Sequence, residues 1–121
     1  MLPKDPTRQK IEINFKSFAK SNDLLNESSQ KLLNESWLRM FGANIQAILK
    51  AMFGGFTIPV TVRGSEHEIR SFSETLAQEK RYMDAYHQYG LDNPMTYRSK
   101  FQLNKSISDF ERKTGIPWPL H

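Results

Sequence analysis

The chain has 121 residues, a net charge of +4 and no cysteine, which is room for one modest domain whose surface is only partly buried. The missing thiols exclude disulfides, thiolate metal sites and cysteine catalysis, and nothing argues for secretion. With six glycines, six prolines and 12% aromatic residues, the composition is that of a chain with a core, not of a disordered one.

The charge is unevenly spread. Residues 1–20 carry five Lys/Arg (Lys4, Arg8, Lys10, Lys16, Lys20) against two acids, and residues 94–113 again carry five (Arg98, Lys100, Lys105, Arg112, Lys113) against two. Between these stretches the charges nearly cancel. Mild basicity of this kind suits an anionic partner without requiring one.

Residues 1–20 read as a basic N-terminal arm. Pro3 and Pro6 interrupt its start, and it has no apolar signal core, so a cytoplasmic protein is expected. Within it, Ile11, Ile13 and Phe15 alternate with Glu12 and Asn14, the pattern of a short strand over residues 11–15. From there to residue 121 a single small helical domain is expected. Ser21-Asn22-Asp23 offers N-cap residues for a helix over about residues 23–53, although its first part is rich in Asn and Ser. From Trp37 the pattern sharpens: Leu38, Phe41, Ile45, Ile48 and Met52 step by three and four residues, with Trp37, Leu49 and Phe53 beside them. Gly54-Gly55 stops the helix. The run is broken by Arg39, Asn44, Gln46 and Lys50 and is too short to span a bilayer.

A second strand is expected at about residues 57–62, where Ile58, Val60 and Val62 alternate with Thr57, Pro59 and Thr61. Pro59 has no N–H to give and confines it to an edge or a very small sheet. Residues 11–15 are its candidate partner within the chain. With the helix between them as crossover, the pair would be parallel; the alternative is that one of them pairs with another chain. Arg63-Gly64 turns the chain into Ser65-Glu66-His67-Glu68, a capping box, with acids at the positive end of the helix dipole. The helix predicted over residues 65–89 places Ile69, Phe72, Leu76, Met83 and Tyr86 on one face. Gly90, in the left-handed conformation, should end it, with Leu91 as the apolar residue just beyond.

Asp92-Asn93-Pro94 then starts a third helix over about residues 94–114, with Pro at its first position. Leu103, Ile107 and Phe110 share a face of it, while Tyr97 and Phe101 point elsewhere. Thr114-Gly115 ends it, and the stiff Pro117-Trp118-Pro119 carries one large aromatic side chain back over the helix pair. The fold class is mainly α with a minor β component, an α+β arrangement of two or three long helices and one or two short strands.

No pattern of catalytic or cofactor-binding residues stands out. Glu66-His67-Glu68 lacks a second histidine one turn on, because Ser71 occupies that position, and capping accounts for its acids. Glu79 lies near the apolar face between Leu76 and Met83; the reading is a residue at the edge of the stripe paired with a Lys or Arg, rather than an acid or base of raised pKa. Lys80-Arg81-Tyr82 with Tyr86, His87 and Tyr89 interleaves bases and aromatics as single-strand binders do. Glu79 and Asp84 dilute that charge, however, and a Tyr-rich packing edge explains the pattern as well.

At Tyr89-Gly90-Leu91-Asp92-x-Pro94 and Phe110-Glu111-x-x-Thr114-Gly115-x-x-Trp118-Pro119 the chain resembles short, uncharacterised proteins encoded by tailed bacteriophages. These also have a β-strand, a helix ending in Gly-Leu and a last helix that closes with Phe-Glu-x-x-Thr-Gly before a Trp-Pro. The resemblance covers roughly residues 56–119. It implies a phage origin, and hence the host cytoplasm or the virion, but no particular activity, and no functional residue is carried over.

The strongest functional hint is the wide stripe over residues 37–53. It can be core, a surface for self-association or a partner, or, less readily because only Arg39 and Lys50 are cationic, a membrane-surface helix. The leading expectation is a small, non-enzymatic, oligomeric interaction or structural component, in the phage virion or in host takeover. It would bind itself or another protein through Trp37, Leu38, Phe41, Ile45, Ile48 and Met52, and would need no metal or cofactor. The alternative is a nucleic-acid binder using the ten cations named above, whose affinity would fall with salt.

Overall fold

The computed structural model describes residues 10–18 and 27–120, with side chains in the first long helix described from Asn34 onward. The elements are β1 (Ile11–Asn14), α1 (Glu27–Gly54), β2 (Val60–Arg63), α2 (Glu66–Tyr89) and α3 (Pro94–Thr114). This is a mainly helical chain with a minor β component. The N-cap expected at Ser21-Asn22-Asp23 lies outside the described residues. Contacts divide the chain into two compact units, Met1–Gly64 with Pro119–His121, and Ser65–Trp118.

In the first unit, β1 and β2 form a two-stranded parallel sheet, with Ile11 opposite Val60 and Ile13 opposite Val62. The pairing is parallel because α1 intervenes in the sequence and returns the chain to the same end. The Ile11 N–H donates to the Pro59 carbonyl at 3.0 Å, so Pro59 serves the sheet through the one backbone group it can offer. Exposed Glu12 and Arg63 pair across the strands at 3.2 Å. Ile11 and Ile13 are buried as the alternation predicts. Phe15 is buried too, but residues 15–18 are helical, so the strand stops one residue sooner than expected. β2 also differs: it starts at Val60, after the proline, and Val60, Thr61 and Arg63 are all exposed.

Phe15 meets Phe41 edge-on at 5.9 Å and Trp37 at 6.3 Å, Phe18 lies 5.1 Å from Trp37, and Trp37 lies 4.9 Å from Phe41. These tilted and edge-on pairs attach residues 15–18 to α1, each contributing about 1 kcal/mol beyond its area. Pro119 lies against Gly42, where an added Cβ would stand 3.2 Å from the proline Cβ.

The second unit is a helical hairpin, and α2 against α3 is the most extensive contact between elements. Its ends are closed as the sequence indicates. The Ser65 hydroxyl accepts the Glu68 N–H at 3.2 Å, and Glu68 accepts the Ser65 N–H at 2.8 Å. Asn93 caps α3 by accepting the Met95 N–H at 2.9 Å, with Pro94 at the first helical position. Gly115 ends α3 in the left-handed conformation (φ 72°, ψ 9°) and donates to the Glu111 carbonyl at 2.9 Å. Gly90 differs from expectation. Its φ is positive, at 82°, but its ψ of 175° is extended, a combination that only glycine adopts readily. The chain leaves α2 abruptly there, and Leu91 is left exposed.

The apolar stripe expected on α2 is rotated. Its buried residues are Ser71, Phe72, Thr75, Glu79 and Ala85, while Tyr86 is exposed. Small and polar side chains let the two helices approach closely, and hydroxyls satisfy carbonyls in the seam. Thr75 donates to the Ser71 carbonyl at 2.8 Å, with the Ser106 carbonyl of α3 as the alternative acceptor at 3.2 Å. Thr96 donates to the Gly90 carbonyl at 2.6 Å, with the Ala85 carbonyl at 3.3 Å. Tyr86 falls in the last turn of α2 and instead sets its ring edge-on to His87 at 5.6 Å.

The capping box gives a direct test. Ser65→Ala should lower stability by about 1 kcal/mol in urea denaturation, whereas Ser65→Asp, which keeps an acceptor, should lose only a fraction of that.

Candidate functional site

Within the hairpin, Trp118 leaves the chain after the Gly115 stop and inserts its ring between α2 and α3, 5.1 Å from Phe110 and 6.1 Å from Phe72. Its indole N–H donates to Glu79 Oε1 at 2.9 Å, and its backbone N–H donates to Glu111 Oε2 at 2.9 Å. Glu79 is 0% exposed. This corrects the expectation of a residue at the edge of the stripe: α3 and the tail cover that position, and the carboxyl takes the indole N–H. Trp118 does lie over the helix pair, as its stiff surroundings imply.

Glu66 and Glu68 are both engaged locally, Glu68 in the cap and Glu66 with Arg70 at 2.8 Å. Among the described residues no cluster of three or more His, Asp or Glu is placed to hold a metal ion. An open groove of about 250 Å³ runs along the hairpin between the end of α2 and the start of α3, lined by Arg81, Asp84, Ala85, Gln88, Tyr89, Met95 and Ser99. Asp84 is also held by Lys80 at 2.8 Å. The groove therefore presents a guanidinium, a carboxylate, an amide and the hydroxyls of Tyr89 and Ser99.

The stripe on α1 divides into two parts. Phe41, Ile45 and Ile48 are buried, together with Leu49 and Ala51; Trp37 and Leu38 are half-buried; Met52 is exposed, as are Met40 and Phe53. Three of the six residues expected to make contacts are thus core in this chain, and the exposed apolar area lies at its margins. Beyond the helix, Phe56 and Val60 extend it. The Phe56 ring folds over Gly54, where a Cβ would fall 2.6 Å from the ring, and the Phe56 N–H donates to the Ala51 carbonyl at 3.2 Å. Glycine at this position is what lets the aromatic ring fold over the end of the helix. The Gly54-Gly55 pair was legible as a stop, but not as a seat for a ring.

Of the cations, Lys4, Arg8 and Lys20 lie outside the described residues. Lys10, Lys16, Arg98, Lys100, Lys105, Arg112 and Lys113 are all exposed. Arg112 pairs with Asp109. Five of these exposed cations therefore sit on α3, whose only two acids are Asp109 and Glu111.

No family model, curated protein or solved structure matches the chain. The sites must be read from their own chemistry. Among the described residues no helix is long and apolar enough to cross a membrane.

The Glu79–Trp118 bond is open to mutation. Glu79→Leu removes the acceptor and leaves a buried indole N–H without it, so unfolding should become easier by about 1–3 kcal/mol. Glu79→Gln keeps an oxygen in reach and should cost clearly less, both read from urea midpoints with Trp118 emission as the local probe.

Proposed function

We propose that this chain is a small, non-enzymatic contact-making component that self-associates through the end of α1 and β2. The observation that carries the reading is the run of exposed Met52, Phe53, Phe56 and Val60 from the end of α1 to the start of β2, a strand with one unpaired edge among the described residues. Apolar groups scattered singly on a surface need no explanation, whereas several close together beside an unpaired strand edge are an association surface or a liability. An isolated two-stranded sheet is marginal in water, and β2 pairs on one side only among the described residues. A second copy would bring the same strand edge and the same rings, which is the geometry of a two-fold contact. The buried part of the stripe, Phe41, Ile45 and Ile48, would then support the contact by holding α1 in place, with Trp37 and Leu38 at its margin. The resemblance to short tailed-phage proteins fits a part in the virion or in host takeover, where small proteins act by assembly.

Light scattering coupled to gel filtration should give a mass at or above twice that of the monomer, with Phe56→Ser and Val60→Lys together returning it to one chain without loss of helical signal. A wild-type protein that stays monomeric at every concentration would rule the reading out.

A further inference from the structure

Two of the most exposed large apolar side chains in the described residues are Phe101, at 68%, and Tyr97, at 57%, and both lie on α3. They are four residues apart, so their rings share a face and stand about 6 Å apart along the axis. Helical spacing puts Lys100 on one flank of this pair and Arg98 and Lys105 on the other. Neither Arg98, Lys100 nor Lys105 forms an ion pair among the described residues. Both acids of α3 are occupied, Asp109 by Arg112 and Glu111 by the backbone N–H of Trp118. The opposite face of the helix, through Thr96, Leu103 and Phe110, is buried, so packing of the hairpin holds the aromatic pair outward.

We infer that this face of α3 binds single-stranded nucleic acid, with bases stacking on Tyr97 and Phe101 and phosphates held by Arg98, Lys100 and Lys105. An acidic polypeptide would satisfy the cations but would leave two aromatic faces with nothing planar to cover. Unpaired bases use both at once, and they do so without regard to sequence, because every base has a π-face. A duplex hides those faces and offers only its phosphates. The surface lies on α3 alone and does not depend on self-association.

Fluorescence anisotropy with the full chain tests this, using labelled oligothymidylate, the matching oligouridylate, a duplex of equal length and polyglutamate. Single strands should bind at low salt at least about tenfold more tightly than the duplex or polyglutamate, given the usual strength of base–ring stacking. Tyr97→Ala with Phe101→Ala should weaken single-strand binding about tenfold or more while leaving the salt dependence in place. Arg98→Gln, Lys100→Gln and Lys105→Gln together should reduce the slope of log affinity against log salt by about 2, since each phosphate contact on a single strand contributes about 0.7. All five side chains are exposed, so circular dichroism should be unchanged in both variants. No binding at low salt, equal binding of duplex or polyglutamate, or indifference to the loss of both rings would each overturn the proposal.

Discussion

The second unit depends on one buried side chain, Trp118. Two helices joined by a short turn have no intrinsic reason to stay in register, and the seam between α2 and α3 is lined by Ser71, Thr75 and Thr96 as well as by apolar groups. Trp118 resolves this by filling the space between Phe72 and Phe110 while giving its N–H to Glu79. A carboxyl buried at Glu79 would be costly without a donor, and an indole N–H is costly without an acceptor. Each group supplies the other with a partner, and the directionality of the hydrogen bond helps fix where Trp118 lies. Glu111 adds a second constraint by accepting the Trp118 backbone N–H. The tail after Gly115 is therefore part of the packed structure and no mere appendage.

The first unit is organised by aromatic packing instead. Phe15 and Trp37 meet at the end of β1, and Phe41 completes a cluster that joins residues 15–18 to α1. That leaves β2 held mainly by its ladder to β1 and by the turn at Gly54-Gly55. Its exposure follows from this: one strand face has the cluster to cover it, and the other strand has little.

The exposed side chains at the end of α1 and those on α3 differ in chemistry. At the end of α1 the side chains are apolar and neutral, suited to another surface of the same kind. On α3 the rings stand among uncompensated cations, suited to a ligand that is both planar and anionic. Burial of the inner face of each helix is what makes the outer face rigid, and a ring held in place loses less conformational entropy on binding than one on a free segment.

Local rules made the element boundaries legible in the sequence. The Ser65-x-x-Glu68 box, Asn93-Pro94 and Thr114-Gly115 each satisfy backbone groups within a few residues, so their structural meaning is present in the sequence itself. The parallel pairing of β1 with β2 was one of two readings the sequence left open, the other being pairing with another chain, and the structure selects the first. Which face each helix buries was not legible, because that depends on what arrives from elsewhere in the chain. Glu79 reads as peripheral until Trp118 covers it, and Tyr86 reads as core until the last turn of α2 proves to be exposed. The wide stripe on α1 divides into buried Phe41, Ile45 and Ile48 and exposed Met52 and Phe53 for the same reason. Sequence by itself determined the helices and the caps at Ser65, Asn93 and Gly115, since these follow from short-range hydrogen bonding and periodicity. Tertiary structure alone decided which aromatic and charged side chains remain at the surface, since burial is a property of the whole packing and not of any one segment.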